Sequence, residues 1–404
     1  MVLNMETMIK RILERYNLEG ELVGVDKTGS GNINKTFTIT LRHDDGTERK
    51  YLVQQINTKV FPEPYKLMKN IEGVTDYQRK QMVRLGDEEH KVLEVVKTKD
   101  GKPLCHLTND SDTKEYYRIY EYLEDAISFN CSTDPEIVYN TGKAFGHFQR
   151  LLKDYPMDRL QETIEGFHDT NKRYQKFRYD IKIDPEGRAL KVAEQIVFLL
   201  MREDSYPTLT DALNKGLVPY RVTHNDTKVN NVMMNKKTKD FMAVIDLDTV
   251  MPGTMLFDYG DGIRSTASSA SEDETDLSKI HLVGGLFEAY TDGYMSEMAP
   301  YLNYDEVELM GESIRIITLE LAIRFLNDYI NGDTYFKITH PDHNLERAKN
   351  QIELAKDIER KMDYINGYIK ASYDKYRHQD KGTKKELVFK GQKGQGNKDE
   401  GVSE

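Results

Sequence analysis

The sequence lacks the features of a secreted or membrane-spanning protein. Its two cysteines, Cys105 and Cys131, are too few for a disulfide framework or a cysteine-based zinc site, and we expect small buried side chains there. No stretch approaches the roughly 18 consecutive apolar residues that a membrane span requires. Residues 1–20 alternate apolar and charged side chains, as an amphipathic helix does, and lack the continuous apolar segment of a signal peptide. The sequence therefore predicts a protein of a reducing cytoplasm, with no membrane partner.

The chain also has no excess of positive charge. Its 57 Lys and Arg residues stand against 68 Asp and Glu residues, which gives a formal net charge of −11. Nucleic-acid binding depends on cationic contacts with phosphates, so no nucleic-acid partner is predicted. A length of 404 residues, with 38% hydrophobic and 31% charged residues, is typical of a soluble protein of two or three domains. The sequence does not indicate an oligomeric state.

The period of the apolar residues changes along the chain from two to about 3.6. Strands are predicted over residues 21–28, 32–41, 50–56, 92–98, 103–107 and 116–123, with a helical pattern over 64–94 and helices from 137 onward. A small antiparallel sheet before a mainly helical region predicts a two-lobed α+β fold. The predicted lobes are residues 1–124 and 125–378. Residues 379–404 are rich in charge, glycine and glutamine, which predicts a disordered tail.

Residues 223–250 have the pattern of a phosphoryl-transfer centre. Asp226 stands five positions before Asn231, and an apolar strand-like run at 242–247 leads to Asp246 and Asp248. Kinase chemistry needs a carboxylate near the substrate hydroxyl, and an amide oxygen and a second carboxylate that hold magnesium. An isolated Asp and Asn at this spacing would more simply be loop residues. The His before Asp226 and the apolar strand before Asp246 favour the kinase interpretation.

Two further residues are predicted to support this loop. His224 either braces the backbone around Asp226 or acts as the base itself, and bracing is favoured because the magnesium pattern assigns the base to the aspartate. Neither Ser nor Cys is paired with His224 as a nucleophile, which argues against a hydrolase triad. Asp258 follows a predicted turn at Pro252 and Gly253. Its carboxylate is expected to accept backbone N–H groups of the loop, a structural role preferred to metal binding.

The nucleotide side of the site is less specific. The absence of G-x-x-x-x-G-K-[ST] argues against a P-loop kinase. A glycine-rich hairpin between the first two strands is the predicted nucleotide lid, formed by Gly29, Ser30, Gly31 and Asn32. Gln54 or Gln55 stands where a protein kinase carries a phosphate-pairing lysine, and which of them faces the cleft stays open. Glu121 and Leu123, at the end of the sixth predicted strand, are candidates for contacts with adenine.

A helix is predicted over residues 319–330, with Asn331 and Gly332 as its stop. Arg324 interrupts the apolar pattern of this helix. A buried cation needs a partner, and from the pattern alone a structural carboxylate is the favoured one. Tyr335 follows the stop, in a position where aromatic residues often pack.

Five segments spread between residues 51 and 338 resemble the aminoglycoside phosphotransferase and choline kinase group, whose fold is similar to that of protein kinases. The segments read YLVQQINTKVF, THNDTKVNNVM, AVIDLDTVMPG, FDYGDGIR and IRFLNDYINGDTYFKI. The HND of the second segment replaces the usual HGD of the wider group. Together with IDLDTVMPG, it makes the chain similar, within that group, to the N-acetylhexosamine 1-kinases.

The resemblance implies a role for each candidate. Asp226 would be the catalytic base, and Asn231 and Asp246 would be the ligands of Mg²⁺. Arg324 and Tyr335 would contact the sugar together with Asp226, which reverses the packing interpretation of those two residues. The implied reaction is transfer of the γ-phosphoryl group of ATP to the anomeric hydroxyl of N-acetylglucosamine or N-acetylgalactosamine.

Two alternatives stay open beside this prediction. The first is a kinase of another small alcohol, such as an aminoglycoside, choline or homoserine, for which a strongly acidic pocket is expected. The second is a nucleotide-binding pseudokinase that serves as an interaction module. The presence of Asp226, Asn231 and Asp246 argues against the pseudokinase.

Overall fold

The chain folds as an antiparallel sheet followed by a mainly helical region, and the predicted α+β class with its kinase-like arrangement is confirmed. The structure is a computed structural model that describes residues 5–27, 33–109 and 111–378. The predicted tail, 379–404, lies outside this part of the chain. No helix among the described residues combines the length and the apolarity needed to cross a membrane.

The strands form one large and two small sheets. They are β1 (Glu21–Lys27), β2 (Lys35–Arg42), β3 (Glu48–Ile56), β4 (Val95–Val96), β5 (Cys105–Thr108), β6 (Lys114–Glu121), β7 (Ala126–Ile127), β8 (Arg221–Thr223), β9 (Val232–Asn235), β10 (Phe241–Val244) and β11 (Met251–Gly253). The large sheet has the order β1-β2-β3-β6-β4, and β5 also pairs with β6. The two small sheets, β10-β9-β7 and β11-β8, frame the predicted catalytic segment.

The helices follow the large sheet, apart from two that pack on it. They are α1 (Met5–Leu13), α2 (Pro64–Leu85), α3 (Pro135–Leu151), α4 (Thr170–Ile183), α5 (Ala193–Leu200), α6 (Thr208–Asn214), α7 (Met255–Thr266), α8 (Gly284–Met298), α9 (Tyr304–Ile330), α10 (His343–Arg360) and α11 (Met362–Tyr376).

The two faces of the large sheet have different partners. Phe37, Ile39 and Leu41 alternate with threonines along β2, and these apolar side chains pack with Ile9 and Ile12 of α1. The opposite face packs with α2 and with apolar residues of the catalytic segment, in one cluster with Leu247 and Val250. The sheet is therefore joined to the catalytic segment by apolar contacts as well as by the polar contacts of the site.

Helix α7, which carries Asp258, lies unusually close to its neighbours. A Cβ atom at Gly260 would lie 2.6 Å from the backbone oxygen of Ser313 in α9. A Cβ atom at Gly262 would lie 2.0 Å from the hydroxyl of Tyr290 in α8. Side chains at these positions are therefore excluded sterically, because buried residues pack without room for an added atom. The two glycines let α7 sit in the core directly beneath the catalytic loop.

Cys105 is buried as expected, but Cys131 is exposed. Three predictions of secondary structure were also wrong. The helix predicted over 64–94 ends at Leu85, because Gly86 adopts φ 64°, a left-handed conformation that stops a helix. The predicted turn at Pro252 and Gly253 is instead strand β11, paired with β8. Helix α9 begins at Tyr304 and not near residue 319, because Asn303 and Glu306 form a capping box. Its predicted end at Ile330 is confirmed.

Candidate functional site

The loop that follows β8 is held from below by Asp258. This buried carboxylate accepts the backbone N–H of His224 at 2.9 Å and that of Asn225 at 2.7 Å. Gln149 of α3 donates a third hydrogen bond to it at 2.8 Å. Burial raises the pKa of Asp258, and the N–H donors act in the opposite direction. The carboxylate of Asp258 thus accepts backbone N–H groups of the catalytic loop, as expected from the sequence.

His224 links the loop to the end of β10. Its ring is fully buried, with Nε2 2.9 Å from the carbonyl oxygen of Ile245. The backbone N–H of Asp226 donates to Nδ1 at 3.3 Å. Both nitrogens are therefore engaged with the backbone, which leaves neither of them to take a proton from a substrate. The geometry favours the bracing interpretation over the alternative that His224 is the base.

Asp226 and Asn231 contact each other directly. The Nδ2 atom of Asn231 donates to Oδ2 of Asp226 at 2.9 Å and to its backbone oxygen at 2.8 Å. Because the amide donates through nitrogen, its Oδ1 atom is left as an acceptor for a cation. Lys228 lies on the other side, with Nζ 2.7 Å from Oδ1 of Asp226. Sequence reasoning did not single out Lys228; its only signal is its place in the same short loop.

Asp246 follows β10 in a left-handed backbone conformation, with φ 58°. Its carboxylate is accessible from the cleft and makes no hydrogen bond or ion pair with a described residue. Desolvation by the surrounding protein, and then the negative charges of Asp248 and Asp226, raise the pKa of Asp246. Among the described residues neither the carboxylate of Asp246 nor Oδ1 of Asn231 has a hydrogen-bond partner, and two such oxygens suit a hard divalent cation. These two residues are the ones that fit the predicted metal.

Asp248 differs from Asp246 because both of its oxygens are taken. Nη1 of Arg118 lies 2.6 Å from Oδ1, and Nδ2 of Asn34 donates to Oδ2 at 2.5 Å. Arg118 and Asn34 were not predicted. The signal for Arg118 was a cation in the middle of the aromatic strand β6, whereas Asn34 offered only its position after the glycine-rich hairpin. Of the two carboxylates after β10, Asp246 is the one left for a ligand.

Gln54 faces the catalytic segment. Its Oε1 accepts hydrogen bonds from Nε and Nη2 of Arg118 at 3.0 and 2.8 Å. Gln55 shares the face of Val53, which packs toward α1. The question that the sequence left open is answered in favour of Gln54. Whether Gln54 contacts a nucleotide stays a prediction.

Two of the remaining nucleotide candidates, Glu121 and Leu123, lie at the end of β6 and just after it. Glu121 is the last residue of β6 and donates its backbone N–H to the oxygen of Glu94 at 3.0 Å. Leu123 follows it and packs on the same apolar cluster as Leu247. Both therefore lie on the connection between the large sheet and β7. The predicted lid residues Gly29, Ser30, Gly31 and Asn32 lie outside the described residues.

Arg324 and Tyr335 line a single cavity of about 490 Å³, next to α4. Arg324 lies with its guanidinium carbon 5.4 Å from the ring of Phe167 and 5.5 Å from that of Phe336. It makes no hydrogen bond or ion pair with any residue in the described ranges. The buried Glu320 lies one helical turn earlier, and the charges of His168, Arg173 and Arg324 outweigh its burial and lower its pKa, so a carboxylate acts on Arg324 through its charge. Arg173 and Lys176 add two more cations to the same cavity.

The loop that carries Tyr335 is held by a second buried aspartate, Asp328. Its carboxylate accepts the backbone N–H groups of Thr334, Tyr335 and Phe336 at 2.9, 2.8 and 2.9 Å, and Nδ2 of Asn344 at 2.9 Å. Tyr335 itself is nevertheless 64% exposed. Sequence reasoning missed Asp328, although it stands one helical turn after Arg324. Neither Arg324 nor Tyr335 makes a hydrogen bond or ion pair with Asp226.

A separate cluster of metal-ligating side chains joins the end of α2 to α3. His90 Nδ1 lies 2.7 Å from Oδ1 of Asp87, and His147 Nε2 lies 3.1 Å from Oδ2. Arg150 donates to Nδ1 of His147 at 3.0 Å. Because arginine only donates, Nδ1 must accept, and the proton of a neutral His147 is then on Nε2. A protonated nitrogen is not a metal ligand, so we interpret this cluster as a hydrogen-bonded network.

Comparison with known proteins gives one family and one fold. A model of the phosphotransferase enzyme family matches residues 29–301. A microcompartment-associated aminopropanol kinase has a TM-score of 0.57 at 14% identity, over 89% of this chain and 98% of that chain. Amicoumacin kinase hAmiN, solved with AMP-PNP, Ca²⁺ and Ami, has a TM-score of 0.56 at 15% identity, over 89% and 94% of the two chains. Choline kinase from Cryptosporidium parvum Iowa II has a TM-score of 0.55 at 12% identity, over 92% and 100%.

Proposed function

The chain belongs to the phosphotransferase enzyme family, and we propose that it is an ATP-dependent kinase that phosphorylates the anomeric hydroxyl of an N-acetylhexosamine. The observation that carries this proposal is the cavity around Arg324, a half-buried cation that forms no ion pair with any described residue, beside an exposed Tyr335 whose backbone is fixed. Such a pair offers hydrogen-bond donors and an aromatic face to a polar, uncharged ligand. The residues around Asp226 supply the matching chemistry.

A magnesium ion would be held by Oδ1 of Asn231 and the carboxylate of Asp246, acceptors that have no hydrogen-bond partner among the described residues. When bound with ATP, the ion neutralises phosphate charge that grows in the transition state. Asp248 is excluded from this role because Arg118 and Asn34 already occupy its oxygens. AMP-PNP and Ca²⁺ in the amicoumacin kinase structure support the use of a nucleotide and a divalent cation.

Asp226 is the group that accepts the proton of the sugar hydroxyl. Its carboxylate is oriented by Asn231 on one oxygen and by Lys228 on the other. As the hydroxyl oxygen bonds to the γ-phosphorus, its proton passes to Asp226 and ADP leaves. The transition state is loose, so alignment of the reactants contributes more than the strength of the base. An anomeric hydroxyl is also more acidic than an ordinary sugar alcohol, which suits a carboxylate base.

The charge of the cavity separates the proposed sugar from amine acceptors. Arg173, Lys176 and Arg324 line it, but Lys176 is paired with Asp180 at 2.5 Å and Arg173 lies 3.5 Å from Glu320. Arg324 forms no ion pair with any described residue, so its charge is the one available to a ligand. A cationic acceptor such as choline would meet this positive charge, which disfavours binding. An acetamido oxygen and sugar hydroxyls can instead accept hydrogen bonds from arginine.

Turnover of ATP across a panel of acceptors tests the proposal. The panel holds N-acetylglucosamine, N-acetylgalactosamine, glucosamine, glucose, choline, aminopropanol and an aminoglycoside, with Asp226→Asn as the inactive control. We expect kcat/KM for an N-acetylhexosamine to exceed that for each amine by about 100-fold, since buried polar groups left unpaired penalise the wrong ligand. Turnover of an amine with none of a sugar contradicts the proposal, and no turnover of any acceptor favours a pseudokinase.

A further inference from the structure

The position on β3 that ordinarily carries a phosphate-pairing lysine holds Gln54 in this chain. We propose that Arg118, on the neighbouring strand β6, replaces that lysine as a positioning residue. In this role it fixes Asp248 and places a buried positive charge behind the nucleotide phosphates. The inference deepens the proposed function, since it requires a magnesium–nucleotide complex at Asn231 and Asp246, but it does not depend on the identity of the acceptor.

Gln54 and Arg118 are built as a complementary pair. They face each other in the antiparallel register of β3 and β6. Arg118 is only 1% exposed, and two of its N–H groups converge on the single oxygen Oε1 of Gln54. The nitrogen of the same amide donates to Oγ1 of Thr36 at 3.1 Å, which fixes its orientation. A lysine at position 54 would place a second cation against the guanidinium, so glutamine at 54 and arginine at 118 belong together.

The remaining nitrogen of Arg118 connects this pair to the catalytic segment. Nη1 lies 2.6 Å from Oδ1 of Asp248, a residue that is itself buried. Asp248 belongs to the short 3-10 turn Leu247–Thr249, and Asp246 is the residue directly before this turn. Separating a buried ion pair leaves an uncompensated buried charge, so Arg118 and Asp248 stay together and Arg118 fixes the turn that presents Asp246 to the cleft.

The same turn is tied to the base of the glycine-rich hairpin. Asn34 donates to Oδ2 of Asp248 at 2.5 Å, and its own Oδ1 accepts the backbone N–H of Asn57 at 3.0 Å. A continuous set of contacts thus runs from Arg118 through Asp248 to Asn34. Loss of Arg118 would free Asp248 to turn toward the metal and compete with Asp246. It would also remove positive charge from a site that already holds the carboxylates of Asp226 and Asp246.

Binding of a fluorescent ATP analogue with magnesium, measured without any acceptor, tests this inference. Arg118→Gln is expected to raise the Kd about tenfold, on the scale of one charge–charge interaction across a partly solvated cleft. Gln54→Lys added to Arg118→Gln moves the cation back to β3. This double variant is expected to recover binding to within about threefold of the wild type.

The control is Arg202→Gln, which breaks a bidentate ion pair with Glu359 (2.7 Å on each side) in the helical region. It is expected to lower Tm and leave nucleotide binding unchanged. If Arg118→Gln lowers Tm in the same way but binds the nucleotide like the wild type, the role is merely structural and the inference is wrong. It is equally wrong if Arg118→Gln weakens binding and added Gln54→Lys restores none of it.

Arg118→Lys decides the matter if Arg118→Gln does not fold. This variant keeps a cation at the same position, and nucleotide binding within about threefold of the wild type supports the inference, whereas a tenfold loss contradicts it. The outcome is separate from the acceptor question. If the wild type phosphorylates sugars and Arg118→Gln binds the nucleotide normally, this inference is wrong and the proposed function stands. If Arg118→Gln binds the nucleotide weakly and the wild type phosphorylates no sugar, only the proposed acceptor is wrong.

Discussion

In two loops of this molecule a buried aspartate accepts several backbone N–H groups, yet the loops present their side chains differently. Asp258 accepts the backbone N–H groups of His224 and Asn225, and the ring of His224 is fully buried beneath the loop. Asp328 accepts three consecutive backbone N–H groups at 334–336, and Tyr335 in that loop is 64% exposed. A buried carboxylate is thus used twice to collect amides that would otherwise lack partners.

The difference lies in what else holds each loop. The catalytic loop is also fixed by Asp261, which accepts the N–H of Thr227 at 3.0 Å, and by the contacts of His224 with Ile245. The loop of Tyr335 is fixed at its backbone and borders a cavity of about 490 Å³. We therefore expect changes at the first loop to alter kcat, and changes at the second to alter the KM of the acceptor.

The largest effect is expected from Asp226→Asn, which removes the base and nearly preserves the shape of the loop. We predict a loss in kcat of roughly 100-fold or more, the scale of general base catalysis. Binding of the nucleotide is expected to stay close to that of the wild type. Steady-state kinetics and nucleotide titration measure the two quantities. Full turnover by this variant would exclude Asp226 from the mechanism.

Asp258→Asn should have the next largest effect. One carboxylate oxygen becomes an NH₂ group that faces a backbone N–H, and an unsatisfied buried donor costs about 1–3 kcal/mol. We predict a lower Tm and a decrease in kcat of about tenfold or more, with a smaller change in the acceptor KM. Normal kcat in a folded Asp258→Asn variant contradicts the difference that we draw between the two loops.

Asp328→Asn is the matched change at the other loop. The same loss of an acceptor oxygen should displace Tyr335, and we predict an acceptor KM raised by about tenfold with kcat changed less than about threefold. The KM of ATP serves as the internal control and should not move. If kcat falls as strongly as in Asp258→Asn, the expectation that the catalytic loop controls kcat and the loop of Tyr335 controls the acceptor KM is wrong.

The smallest effect is expected from Tyr335→Phe, which keeps the ring and removes one hydroxyl. A single hydrogen bond to a neutral ligand contributes about 0.5–1.5 kcal/mol, so we predict an acceptor KM raised by a few fold. Tyr179→Phe changes an equally exposed tyrosine (64%) of α4 and is the control. Equal kinetics for the two variants would indicate that the hydroxyl of Tyr335 does not reach the acceptor.

The same two loops show what could be predicted from the sequence. Asp226, Asn231 and Asp246 could be predicted because they stand at short, fixed spacing before and after an apolar strand. Asp328 has equally local contacts, but an Asp in the last turn of a helix has many ordinary uses, so its pattern is not specific. The sequence pattern also favoured a structural carboxylate beside Arg324, and in the described part of the chain Glu320 acts on Arg324 through its charge without forming an ion pair. A contact with the substrate was indicated by the family resemblance alone.

Contacts between distant segments could not be predicted at all. Asn34 and Asp248 are 214 positions apart, and nothing in either local sequence indicates that they meet. Arg118 likewise acts through the pairing of β3 with β6, which sets the register that brings it to Gln54. A single sequence contains the residue types but not the tertiary packing that brings such pairs together. The end of α2 is different, because Gly86 after a helical pattern is a stop signal that was overlooked.

Phosphorus NMR of the product is the most direct test of the proposed reaction. With N-acetylglucosamine or N-acetylgalactosamine and MgATP, the proposal predicts a sugar 1-phosphate, because the anomeric hydroxyl is the acceptor. The methyl glycoside of the same sugar has no free anomeric hydroxyl, so it should bind or inhibit and give no phosphorylated product. A 6-phosphate, or ready turnover of the methyl glycoside, would contradict the assignment and leave only a phosphotransferase of another alcohol.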